Sequence, residues 1–445
     1  WEEIKMSQYD VLLQGGTLYD PCTGTMEPCD LGIKDGKIAA RGKGLPGDAD
    51  TVMDVTGLIV APGLIDMHCH VYPVFPYQMA DGLRTVNAEG YMFRAGVTTA
   101  VDAGTTGWRN FGDFKENVID STKVRVLAFI DIAAKGMHYP PSEQAVEDIN
   151  PEITAAVANT WSDVIVGVKS AHYWAKHEEP GHPIWASIDG ALQAAEQCGK
   201  IVMVDSIPVV PERSYPDILS HLRPGDVHTH VFAQQFPLMD EQGKMLPHML
   251  ENRARGVQFD VGHGSGSFWF RQAVGCFRQN FWPDTISTDL HEHNINGPAI
   301  DLLYVASKFL AMGMPLGDVL YRVTRAPALN IHRNPLCGRN FEYYSEDGVL
   351  SGKMAANAVI GAEKYGVYAY IKHFALNDQE TNRTGMLCTW SNEQAIREIY
   401  LKPFEIAVKE GGAKAVMSSF NYIGTQWAGG TYPLQTTVLR DEWGF

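Results

Sequence analysis

Two histidines one residue apart, His68 and His70, close the apolar run GLIDMHCH. On an extended strand, side chains at i and i+2 share a face, so both imidazoles can converge on one point. Later apolar runs also carry titratable residues at their ends. VIVGVKS brings Lys169, IVMVD brings Asp205, DVHTHVF brings His228 and His230, and TISTDL brings Asp289. Taken singly, each is ordinary: HxH is a weak signal, a strand-end Lys usually reaches water, and such an Asp often caps a helix. Taken together they are the donors a divalent cation needs. Imidazole and carboxylate suit zinc and similar ions, and a catalytic site leaves one position open for water. Such an ion lowers the pKa of water towards ~7 and polarises a carbonyl. Asp289 beside it can take the proton and return it to a leaving amine.

These residues must be brought to one place, and the spacing of the runs says how. Apolar, β-rich runs recur near 64–70, 98–103, 124–133, 164–170, 201–205, 226–232, 257–261 and 285–290. Helical patterns such as SIDGALQAAEQCG lie between most of them. Eight strands alternating with helices predict an α/β fold, a (β/α)8 TIM-type barrel, whose active site forms at the C-terminal ends of the strands. Before it, residues 1–62 predict a small β unit, a partial β-sandwich, with Asp-Gly in a hairpin position in DLGIKDGKIAARG. The barrel is expected over 63–325. After it, 326–445 changes character and predicts a helix, a strand, a long helix and a strand, too few βα units to close a barrel alone.

Composition narrows the partners. The net charge of -16 over 445 residues argues against nucleic acid, which needs clustered Lys and Arg. Seven scattered cysteines with no CxxC pair, and no apolar signal core in WEEIKMSQYD, predict a reduced, cytoplasmic protein. No run is long and apolar enough for a membrane span. A small-molecule substrate and a homo-oligomer are expected.

The stretches APGLIDMHCHVYP, VGVKSAHYW, RPGDVHTHVFAQQF, FDVGHGSGSFWF and STDLHEHNINGP, in this order, resemble the amidohydrolase superfamily, in its dihydroorotase-like amidohydrolase/deacetylase branch. The resemblance covers about residues 8–325. It implies a metal-dependent hydrolase of an amide, cyclic amide, N-acyl amino acid or related ester. It implies one or two divalent ions, zinc expected, with His68, His70 and Asp289 on one, a carboxylated Lys169 as bridge, and His230 on the second. One departure stands out: the superfamily commonly has His at the end of strand five, where this chain has Asp205. Either Asp205 is a ligand, or the second metal is weakened, or His228 compensates.

Four further residues are candidates for substrate. Arg109, in TTGWRNFGDF, can pair a substrate carboxylate in bidentate fashion, although a surface loop charge is the commoner role. His172 and Tyr173 follow Lys169, and His263 sits in the Gly-rich GHGSGS, which lacks phosphate-loop spacing.

The tail resembles another family. NPLCGRNFEYYSED, YIKHFALNDQETNR, VMSSFNYI and LRDEWGF are similar to family 3 glycoside hydrolases of β-glucosidase type. The resemblance makes Arg339, Lys372 and His373 sugar-contact candidates. The stretch carrying that family's nucleophilic Asp is not among these residues, and a retaining glycosidase needs two carboxylates ~5–5.5 Å apart. The second reading is a β-glucosidase-like glycoside hydrolase without that nucleophile among these residues, and the third a sugar-binding appendage without turnover.

Overall fold

The computed structural model describes residues 7–73, 85–174, 181–205, 211–332, 348–377 and 387–445. The N-terminal unit is all β. Strands β1 (Tyr9–Gln14), β4 (Asp30–Lys34), β5 (Lys37–Gly42) and β6 (Ala49–Asp54) form one sheet in the order β5-β4-β1-β6. Strands β2 (Thr17–Asp20), β3 (Thr25–Pro28) and β7 (Ile59–Val60) form a second, in the order β3-β2-β7. The Asp35-Gly36 turn joins β4 and β5 as an antiparallel pair, both residues with positive φ, which this dipeptide tolerates. Two bonds tie the unit to the helices that follow the main sheet. Tyr19 Oη donates to the Gly317 carbonyl at 3.3 Å, and the Arg325 guanidinium reaches Cys22 Sγ at 2.9 Å.

The main sheet is parallel and seven-stranded: β8 (Leu64–Cys69), β9 (Val97–Gly107), β10 (Arg125–Asp131), β11 (Ile165–Ser170), β12 (Ile201–Val204), β13 (Val227–His228) and β14 (Gln258–Phe259). Neighbours in sequence are neighbours in the sheet, as short right-handed βα units require. The eighth run, Thr285–Leu290, meets both edges. Asp260 bridges to Thr285 and Cys69 bridges to Leu290, with the His70 amide donating to the Leu290 carbonyl at 3.0 Å. The sheet is thus curled, and its first and last strands share a neighbour.

Helices cover the outer face, and their starts follow local chemistry. Asn150, Ser214 and Asp301 each accept a backbone N–H in the first turn of Pro151–Thr160, Tyr215–His221 and Leu302–Ala311. Each such cap stabilises its helix by ~1 kcal/mol. Ala186–Cys198 buries Ile188, Ala191, Ala194 and Ala195 on one stripe and ends at left-handed Gly199. Most of the buried apolar side chains between Leu64 and Ile331 form one cluster.

The tail has its own cluster, from Val359 to Trp443. Helix Gly348–Glu363 precedes β15 (Tyr370–Phe374), and helix Lys402–Lys409 precedes β16 (Ala415–Ser418). The two strands pair in parallel. This is the helix–strand rhythm expected from the sequence. Lys372 and His373 lie on β15, while Arg339 lies outside the described residues. No helix among the described residues is long and apolar enough to cross a membrane.

Candidate metal centre

The ring of strand ends creates the site. His68, next to last on β8, has its side chain inward, Cys69 points out to the Val101 carbonyl, and His70 returns inward. Both imidazoles meet Asp289, with Nε2–Oδ1 distances of 3.5 Å for His68 and 3.0 Å for His70. Among the described residues, His68, His70 and Asp289 are the group whose ligand atoms lie within 4.8 Å of one another, and all three are buried.

Hydrogen bonds fix which ring nitrogens face each other. His70 Nδ1 lies 2.9 Å from Thr105 Oγ1, whose hydroxyl donates to Asp102 Oδ2 at 2.9 Å. His68 Nδ1 lies 2.9 Å from Thr229 Oγ1, which donates to Asp260 Oδ2 at 2.8 Å. Each threonine has given its proton to a carboxylate, so each accepts from an Nδ1–H. That assigns both Nε2 atoms as lone-pair donors aimed at an anionic oxygen. Acceptors in such contact need a cation between them, a proton or a metal ion. Burial works against a charged His70, yet Asp289 lifts its pKa above the usual value. His68 is pushed down to about 4 by burial and by the Lys169 charge. Asp289 is held well below the carboxylate range by the histidines, against the effect of burial. Two imidazoles, a carboxylate and outer carboxylate–threonine relays fit a divalent ion of zinc type with three protein ligands.

A cavity of about 200 Å³ opens over this group. Its lining includes His172, Asp205, His230, Gln235 and His291, with Ser265 to Ser267 from the Gly-rich loop. Asp205 reaches Lys169 Nζ at 2.9 Å and His230 Nε2 at 3.7 Å. Burial alone would raise the Asp205 pKa, but Lys169, His172 and His230 hold it low. The His172 ring lies 3.4 Å from buried Glu143.

Strand alternation explains one expectation that the geometry corrects. Thr229 faces inward, so His228 faces outward, between the rings of Tyr215 at 5.2 Å and Phe236 at 4.7 Å. It does not line the cavity and cannot stand in for a fifth-strand ligand. His230 ought to face outward with it. Instead its backbone turns left-handed, φ 59°, and swings the ring inward to 5.0 Å from that of His68. Asp289 uses the same device, with φ 50°.

Three substrate candidates also stand elsewhere. Arg109 is exposed and lies over the neighbouring Trp108 ring at 4.9 Å, which removes it as a clamp for a carboxylate in this cavity. Tyr173 is buried, its carbonyl accepting from Arg213 at 3.1 Å, and is not in the cavity lining. His263 stacks on Phe268 and meets Lys308 Nζ at 2.7 Å. The serines that follow it line the cavity in its place. His291 is the residue the sequence reading passed over. It follows Asp289 by two positions, the same spacing that singled out His68 and His70, and bonds Ser265 at 2.8 Å.

Residues 301–445 match the glycosyl hydrolase family 3 N terminal domain. A deacetylase of Agrobacterium fabrum is 33% identical over 301 residues, covering 66% of this chain and 71% of the relative. The crystal structure of a dihydroorotase aligns with a TM-score of 0.62 at 29% identity, covering 72% of this chain and 83% of that one. Beta-glucosidase A of Butyrivibrio fibrisolvens is 54% identical over 119 residues, which is 27% of this chain and 14% of that protein.

Proposed function

The chain belongs to the amidohydrolases, with the deacetylases as relatives, and from that premise we propose a metal-dependent hydrolase that removes an acyl group from a small N-acylated substrate. Action on C–N bonds follows from the family. The closed (β/α)8 barrel belongs to the proposal, and the two bridges made by Thr285–Leu290 support it. The observation that carries the reading is the buried convergence of His68, His70 and Asp289 beneath a cavity.

A divalent ion held there supplies Lewis acidity towards water and carbonyl oxygen. The protein's own groups do the rest. Thr105 and Thr229 hold the two imidazoles in the donor tautomer. Asp289, anionic and facing the cavity, accepts the proton of the attacking water and delivers it to the departing nitrogen. His291, His172 and Gln235 line the same cavity and offer hydrogen bonds to the substrate.

The test is turnover of a panel of N-acetyl amino acids and cyclic amides, with an aryl β-glucoside as control. Amide turnover should fall at least tenfold on chelation and return with zinc, while the glucoside stays uncleaved. Amide turnover indifferent to chelation would overturn the proposal.

A further inference from the structure

The second metal position of the two-ion scheme does not fit this chain. That scheme has Lys169 carboxylated on Nζ and commonly a histidine at the end of the fifth strand. Here the fifth strand ends in a carboxylate, and its Oδ2 sits 2.9 Å from Lys169 Nζ. Neither group meets solvent to any extent: the side chains are 0% and 4% exposed.

The surroundings hold the pair in place. The stem of Lys169 runs against the backbone of β9, where a Cβ on Gly104 would fall 2.6 Å from Lys169 Cγ. The lysine cannot swing towards β9 to make room for an added carboxyl. Asp131, paired with Lys169 in register, adds a second buried carboxyl near by, and Glu143 a third. Carboxylation would turn the one fixed cation among these acids into an anion, a change of two charges. His230 is the remaining imidazole on that side; its Nδ1 is bonded to the Gly262 carbonyl at 2.5 Å, which leaves Nε2 facing Asp205 at 3.7 Å. Among the described residues no second set of three His, Cys, Asp or Glu donors converges.

We propose that this centre holds one divalent ion, on His68, His70 and Asp289, and that Lys169 remains an unmodified amine whose ion pair with Asp205 fills the second position. The inference rests on the amidohydrolase reading. It gives Asp205 a positioning role: it holds the Lys169 ammonium beside the ion and orients His230 at the cavity wall.

The experiment counts zinc per chain by elemental mass spectrometry after loading with excess zinc and bicarbonate enriched in carbon-13. Wild type should bind one ion and give no carbamate resonance. Asp205→His should bind two and show the resonance, because a free amine attacks carbon dioxide, forming N–C and releasing one proton. Lys169→Gln should keep its single ion, since the amine is not a ligand. Two ions or a carbamate signal in wild type would overturn the proposal, as would loss of the ion from Lys169→Gln. Asp205→His remaining at one ion would overturn the role of Asp205. If a variant fails to fold, the wild-type count and spectrum still decide. No ion bound in wild type would instead refute the metal-dependent reading itself.

Discussion

His228→Leu should leave the centre intact and make the protein more stable. The ring is fully buried, and neither nitrogen has a hydrogen-bond partner among the described residues. Burial pushes its pKa to about 3, so the ring is neutral, with one stranded N–H and one stranded lone pair. Each unsatisfied group costs ~1–3 kcal/mol. Against this, leucine forfeits ring contacts with Tyr215, Phe236 and Phe259, each ~0.5–1.5 kcal/mol, and reshapes the packing slightly. Taken at midpoints, two such costs less three such contacts leave a gain of roughly 1 kcal/mol, or ~2–4 °C in melting temperature. Urea unfolding followed by tryptophan fluorescence measures the gain, and a zinc count on the same samples measures the site. Loss of a metal equivalent would show that the ring is a ligand. Destabilisation by more than ~1 kcal/mol would show that its nitrogens have partners after all.

Thr229→Val removes the bond that orients His68 and should weaken zinc binding ~10–100-fold, read by chelator competition, with the fold retained. His263→Gln should make the protein less sensitive to acid. Burial drops the His263 pKa to about 4, so wild type loses stability as pH falls from ~6.5 towards 4, and keeps it above ~6.5. The variant should lack roughly 3 kcal/mol of that loss, measured as the difference between two urea series. Lys372→Ala on β15 should leave amide turnover unchanged, and a tenfold loss would mean that the tail takes part in the site.

Much of the site was legible because the strand period is strict. His68 and His70, two apart, and Asp289 in the eighth run are residues that the geometry brings together. The same period misled at DVHTHVF, where the pair His228 and His230 resembled the first pair. The strand there is β13, only Val227–His228, and what turns His230 inward is a left-handed residue outside it. Glycine would have flagged such a turn outright; histidine and aspartate adopt it more often than most side chains but still uncommonly, so they flag it weakly. Arg109 failed for a similar reason: its charge was visible, but its stacking on the adjacent indole was not. The helices were easier, since alanine-rich stripes and Asn, Ser or Asp caps announce themselves locally.

The left-handed backbone at His230 and Asp289 has a bearing on how this enzyme could be hardened. Such a conformation costs a residue with a Cβ ~1–2 kcal/mol relative to glycine. The fold therefore sets stability aside at two positions where side chains must face the cavity. A screen that rewarded heat resistance alone would favour glycine there. It would relax the backbone and erase the centre together, so thermostable variants should be selected under turnover, with these two codons held fixed.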